Sequence, residues 1–127
     1  MKIGRILLAG ACAVLMFAAE PQYEMTTYVM GLLRKGPKWT PEKNAYTQGL
    51  QEGHLANIRK MAATGKLIVA GPFSGNGDLR GVFIFKLKSV EEAKAMVDED
   101  PAVKAGRLVV ELHPWYAAEG LRVNPPK

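Results

Sequence analysis

The chain carries two histidines, His54 and His113, and a single cysteine, Cys12. Acid–base chemistry therefore has few places to reside. An imidazole titrates near physiological pH, so it can take up and return a proton, and a carboxylate on its second nitrogen fixes its tautomer and orientation. His54 is the stronger candidate. On a helical wheel Leu50, Ile58 and Met61 fall within about 40° of it, which places the ring inside an apolar stripe and not at the solvent edge. A hydrogen-bonded core histidine has the same signature, and both readings stand at this level. His113 alternates with Glu111 and reads as a strand-end or interface residue. Two histidines are too few for a multi-histidine zinc centre. Cys12 lies in a segment expected to be removed, which takes disulfides, thiolate metal sites and cysteine nucleophiles with it. The chemistry is expected to use neither metal nor cofactor.

The elements that must position His54 follow from local signals. Tyr28–Leu33 is an apolar, partly β-branched run and reads as a first strand. Gly36 and Pro37 make the next stretch a loop. Thr40-Pro41-Glu42 then offers a cap hydroxyl, a proline and an acid in the order that opens a helix. That helix is expected to run to about Thr64 and to stop at Gly65. Gly49 and Gly53 weaken it by roughly 1 kcal/mol each, which either close packing against a neighbour or an irregular N-terminal half of the helix would explain. Leu67–Ala70 is a second strand and Gly81–Lys86 a third, separated by the turn-forming Ser74–Asp78. Gly75 and Gly77 lack the strand-to-helix setting of a phosphate loop.

Ser89-Val90-Glu91-Glu92 has the form of a capping box, with Val90, Ala93, Met96 and Val97 as the buried stripe of a second helix. Pro101 breaks it, Ala102–Ala105 can add one turn, and Leu108–His113 is a fourth strand. The order is β-α-β-β-α-β, the ferredoxin-like split βαβ arrangement of the α+β class.

At 127 residues and 48% hydrophobic content the chain makes one ordinary folded domain. Lys2 and Arg5 precede an apolar stretch from Ile6 to Ala19, the layout of a secretory signal peptide over 1–19. The stretch is shorter than the roughly 20 residues a membrane span needs, so no stable span is expected once the leader is gone. The mature protein is then expected to be exported, to the bacterial periplasm or the medium. Its loss lowers the net charge from +5 to +3, and the remaining basic residues are scattered, so nucleic acid is not an expected partner. Residues 117–127 form a C-terminal tail.

Strand patterning points to a second copy of the chain. With both helices on one face of a four-stranded sheet, the other face should alternate to polar residues. Val29-Met30, Leu67-Ile68-Val69 and Val82-Phe83-Ile84-Phe85 are apolar on both faces. A homodimer with two sheets stacked face to face would bury that surface.

Three pieces of sequence resemble the YciI-like (YCII-related) family: His54-Leu55-Ala56, Leu67 to Pro72 (LIVAGP), and Glu99 to Gly106 (EDPAVKAG). The likeness continues to Pro114-Trp115 and covers residues 26–116, departing at Ala102, where the family commonly has an aromatic. The resemblance implies a dimeric α+β barrel and a His and an Asp close together in a cleft. It matches that pair to His54 as general acid/base and Asp100 as its orienting partner. Locally, Asp100 also fits as a helix-stop residue before Pro101. A relative in the family acts on chlorinated hydroxybenzenoid molecules. The implied activity is isomerase, lyase or dehalogenase-like chemistry on a small cyclic or aromatic substrate, and the alternative is a non-catalytic ligand-binding or stress-associated homodimer. Arg34, Trp39 and Phe73 are the expected substrate-binding residues, the first two with Lys35 at the cleft mouth, where they would favour an anionic aromatic ligand.

Overall fold

A four-stranded antiparallel sheet, in the order β2-β3-β1-β4, carries its helices on one face. The computed structural model describes residues 22–122 together with Gly4, Gly10 and residues 13–19. The leader expected over 1–19 and the end of the tail thus fall largely outside the described residues. The elements are β1 (Met25–Lys35), α1 (Ala45–Ala63), β2 (Leu67–Pro72), β3 (Leu79–Phe85), α2 (Val90–Val97), α3 (Pro101–Lys104) and β4 (Leu108–Ala118). This is the ferredoxin-like α+β topology, with the expected extra turn present as α3. Among the described residues no helix is long and apolar enough to cross a membrane.

The first helix starts later than Thr40-Pro41-Glu42 predicts. Asn44 is its cap: the Asn44 side chain accepts from the Thr47 N–H at 3.0 Å, and the Thr47 hydroxyl accepts from the Asn44 N–H at 3.0 Å. This reciprocal pair satisfies two end donors at once. Thr40 instead accepts from the Glu42 N–H at 3.2 Å and closes a turn before the helix. The helix ends where expected, at Gly65 with φ of 76°. At α2 the capping box is half formed. Ser89 accepts from the Glu92 N–H at 3.2 Å, but the Glu92 carboxylate is drawn to Lys66. Strand β4 continues five residues past His113, through Pro114. A proline is tolerated there because β4 is an edge strand, whose outer side needs no ladder bond.

The core lies between sheet and helices. Val29, Leu33, Phe83 and Phe85 meet Met61, Ala93, Val97 and Ala102, with Leu67 and Leu108 at the margins. Because side chains alternate along a strand, Met30, Leu32, Val82 and Ile84 point the other way. The register lays Met30 opposite Ile84 and His113, and Leu32 opposite Val82 and Glu111. On that face Tyr28 and Trp115 pack with ring centroids 5.9 Å apart, and Val109 remains 41% exposed. The expectation of two apolar sheet faces holds residue by residue.

Candidate functional site

His54 is seated by a stripe of α1 that is tied to the end of α2 and the segment after it. The Asn57 side chain donates to the Met96 carbonyl at 3.2 Å, Lys60 pairs with Glu99, and His54 meets Asp100. Residues 54, 57 and 60 lie along one line of the helix, so the three contacts form a ladder. The close approach rests on Gly53. A Cβ there would lie 2.7 Å from Cγ of Pro101. Glycine and proline, each next to one member of the pair, therefore bring His54 and Asp100 together.

Both oxygens of Asp100 are used. Oδ1 accepts from the Ala102 N–H at 2.8 Å, which makes Asp100 the cap of α3, and Oδ2 faces Nδ1 of His54. The carboxylate is 1% exposed. An ionised carboxylate only accepts, so in a neutral imidazole paired with it Nδ1 carries the hydrogen and Nε2 has the lone pair. Among the described residues nothing bonds Nε2, which keeps some accessible surface on a residue that lines a cavity. The ring lies nearly parallel to Phe83, 6.2 Å between centroids. Asp100 thus spends one oxygen on the start of α3 and the other on His54, while α2 itself ends at Val97.

His54 opens on a cavity of about 290 Å³ between α1 and the ends of β2 and β3. Its apolar wall is Leu33, Leu55, Ile58, Phe83 and Leu108, and its polar contributors are Gln51, Arg80 and Trp39 beside His54. A cavity of roughly 150 Å³ already holds benzene, so a substituted single ring fits. Asp100 lies behind His54 and does not line the space.

Of the residues expected to bind substrate, Trp39 lines the cavity and Arg34 and Phe73 do not. Leu33 belongs to the core face of β1, so Arg34 alternates to the opposite face, where it pairs with Glu111 and, at 2.9 Å, with Asp78. Those two carboxylates, Asp78 foremost, hold its guanidinium above even its ordinary high pKa. Pro72 closes β2 on the cavity side, so Phe73 turns outward and is 42% exposed. Arg80 was missed for a specific reason. Counted back from Gly81, it should share the outer face with Arg34. The pairing slips there, with Leu33 opposite Gly81 and Arg34 opposite Leu79. The resulting bulge re-aims Arg80 into the cavity. No local sequence signal marks it.

Trp39 reaches the cavity through a tight loop. Gly36 donates to the Arg107 carbonyl at 2.9 Å and Lys38 to the Gly106 carbonyl at 2.9 Å. A Cβ on Gly36 would stand 2.2 Å from the Gly106 oxygen, so only glycine lets the two loops touch.

Sheet order, helix placement and a buried His–Asp pair beside an open hollow define a ferredoxin-like α+β domain with a small-molecule-sized cavity at that pair. The chain belongs to the YCII-related domain family, whose model matches residues 29–116. Among solved structures it is similar to the 5-chloro-2-hydroxyhydroquinone dehydrochlorinase of Burkholderia phenoliruptrix AC1100 in complex with 2,5-dihydroxybenzoquinone. Identity is 26% over 71% of this chain and 93% of that chain, with a TM-score of 0.49. No curated protein matches.

Proposed function

We propose that the chain is a small-molecule enzyme in which His54 is the general acid/base and Asp100 its positioning partner. The observation that carries this reading is the split of one imidazole. Nδ1 is held by a buried carboxylate while Nε2 stays open at a cavity of single-ring size. In the reaction Nε2 takes a proton from carbon of a cyclic substrate, and the freed electron pair moves into the conjugated ring. Asp100 stabilises the imidazolium that results. The proton then returns at another atom, an isomerisation, or a neighbouring leaving group departs with its bonding pair, a lyase or dehalogenase-like elimination. Family membership over residues 29–116 supports chemistry of this kind.

The test is a thermal-shift screen of single-ring phenols, quinones and carboxylic acids, followed by chromatography of every molecule that binds. The expected result is a changed product with the wild-type chain. Turnover should fall about 10²–10⁴-fold in His54→Ala, and Asp100→Asn should show an altered pH–rate profile. Molecules that bind and come back unchanged would make the protein a ligand-binding dimer and overturn catalysis.

The same reading includes a face-to-face homodimer, supported by the apolar outer face on which Trp115 and Val109 stay accessible. Light scattering at micromolar concentration tests it, a monomer mass being the adverse result. Export is part of the proposal as well, resting on the basic head and apolar run before Glu20. The mass of the mature protein recovered from the periplasm or medium tests it.

A further inference from the structure

The mouth of the cavity carries charge that the His54 chemistry leaves unused. Trp39 is half-buried, and three cations surround its ring: Arg107 at 4.4 Å, Arg80 at 5.0 Å and Lys35 at 5.5 Å from the centroid. Each donates only to backbone oxygen. Arg107 reaches the Thr40 carbonyl at 2.8 Å, and Lys35 reaches that of Asn76 at 3.1 Å. Arg80 uses Nη1 alone, toward the carbonyls of Gly75 and Gly77 at 3.0 and 3.3 Å.

Among the described residues the other cations are either paired with a carboxylate or, like Lys38, Lys43 and Arg59, exposed to solvent. Arg34, Lys60, Lys66 and Lys94 each meet a carboxylate. Among the described residues Lys35, Arg80 and Arg107 meet none within 4.0 Å. All three are partly buried, so water screens their mutual repulsion incompletely. The π face of Trp39 offsets part of that cost. What remains is a net positive field beside an open hollow. Among the described residues nothing accepts from the Nε–H and Nη2 donors of Arg80, and this edge of a guanidinium grips a planar oxyanion with two parallel bonds.

We propose that the cavity selects a planar, single-ring molecule bearing a delocalised oxyanion, a carboxylate or an enolate. Arg80 holds the charge, Arg107 and Lys35 add to the field, and the reacting carbon faces Nε2 of His54. The proposal rests on the reading of this cavity as the substrate site and names its substrate class. It also completes the proton step. When Nε2 removes a proton from carbon, the electron pair left behind spreads onto the ring oxygen, and Arg80 stabilises the oxygen on which that charge collects.

Benzoate and its neutral near-isostere benzamide are the probes, titrated calorimetrically into the full chain. Benzoate is expected to bind at least about tenfold tighter, a gap of roughly 1.4 kcal/mol, and about 0.5 M salt should narrow it. Arg80→Gln should abolish the preference, Arg107→Gln should reduce it, and Arg80→Lys should keep part of it. Equal affinity for the two probes overturns the anion proposal and leaves the cavity reading standing. A benzoate preference that survives both arginine substitutions places the anion elsewhere and also overturns it. If neither probe binds, the proposal and the cavity reading fall together.

Discussion

On the helix side of the sheet Arg80 meets backbone carbonyls and a tryptophan ring, whereas Arg34, one strand away on the other side, is closed by Asp78 and Glu111. The same contrast separates the two histidines. His113 stands on the outer face, 58% exposed and 3.6 Å from Glu111, while His54 is buried against Asp100 with one nitrogen left over. The outer face thus spends its charges in pairs and leaves apolar surface between them. The inner face leaves valences unspent: a lone pair on Nε2 and a free guanidinium edge. Binding and proton transfer need the second condition, and the pattern of unsatisfied groups locates the site better than residue type does.

The sharpest way to break the contrast is to remove one carboxylate from each face. Asp100→Ala takes away a buried partner and a helix cap together, and should cost about 3–5 kcal/mol in urea denaturation. Glu111→Ala leaves Arg34 with Asp78 and with water, and no shift of the midpoint is expected. Equal losses from the two variants would show that the faces do not differ in the way their burial implies.

A smaller effect is expected at Gly53. Alanine is the better helix former, yet here its Cβ would press on Pro101 at a distance that backbone or ring must relieve. Forcing the helices apart should cost about 1–3 kcal/mol and weaken probe binding with it, since the neighbouring residues on the two elements are His54 and Asp100. Gly53→Ala melting at or above the wild-type temperature would mean that the approach is loose and the pair is held by its own contact alone.

Much of this was legible in the sequence, for reasons tied to distance along the chain. The place of His54 in an apolar stripe needs only helical geometry, and Gly65 announces the helix end through its permitted φ. The pairing of His54 with Asp100 came from the family resemblance, because 46 residues separate them and no local rule joins such positions. The late start of α1 depended on a reciprocal bond between Asn44 and Thr47 that outweighed the proline signal at Pro41. Arg34 and Phe73 were lost to parity, each one residue out of phase with the cavity. Arg80 was hidden by a bulge, which exists only once two strands are paired.

Gly49 supplies the control for Gly53. It lies one turn earlier in the same helix, and a Cβ there would meet nothing within 4 Å. Gly49→Ala should therefore raise stability by about 0.5–1 kcal/mol, the opposite sign from its neighbour. A matching loss at both positions would point to a general intolerance of the helix and not to the contact with Pro101.

The smallest effect separates charge from burial. Glu99 adjoins Asp100 and pairs with Lys60, but in the open, with the carboxylate half exposed. The hydrogen bond from Lys60, followed by its charge, holds Glu99 below its ordinary value of 4.5. A carboxyl depressed in the folded state stabilises the fold above its unfolded value, and that contribution is lost as pH falls through the lower, folded one. Thermal melts of wild type and Glu99→Gln should therefore differ slightly at neutral pH and converge as the pH falls well below 4.5. About 0.5 M salt should remove most of the difference, because exposed pairs are screened. A gap that persisted in acid would show that Glu99 acts through packing, and would extend the buried character of the pair at His54 and Asp100 outward by one residue.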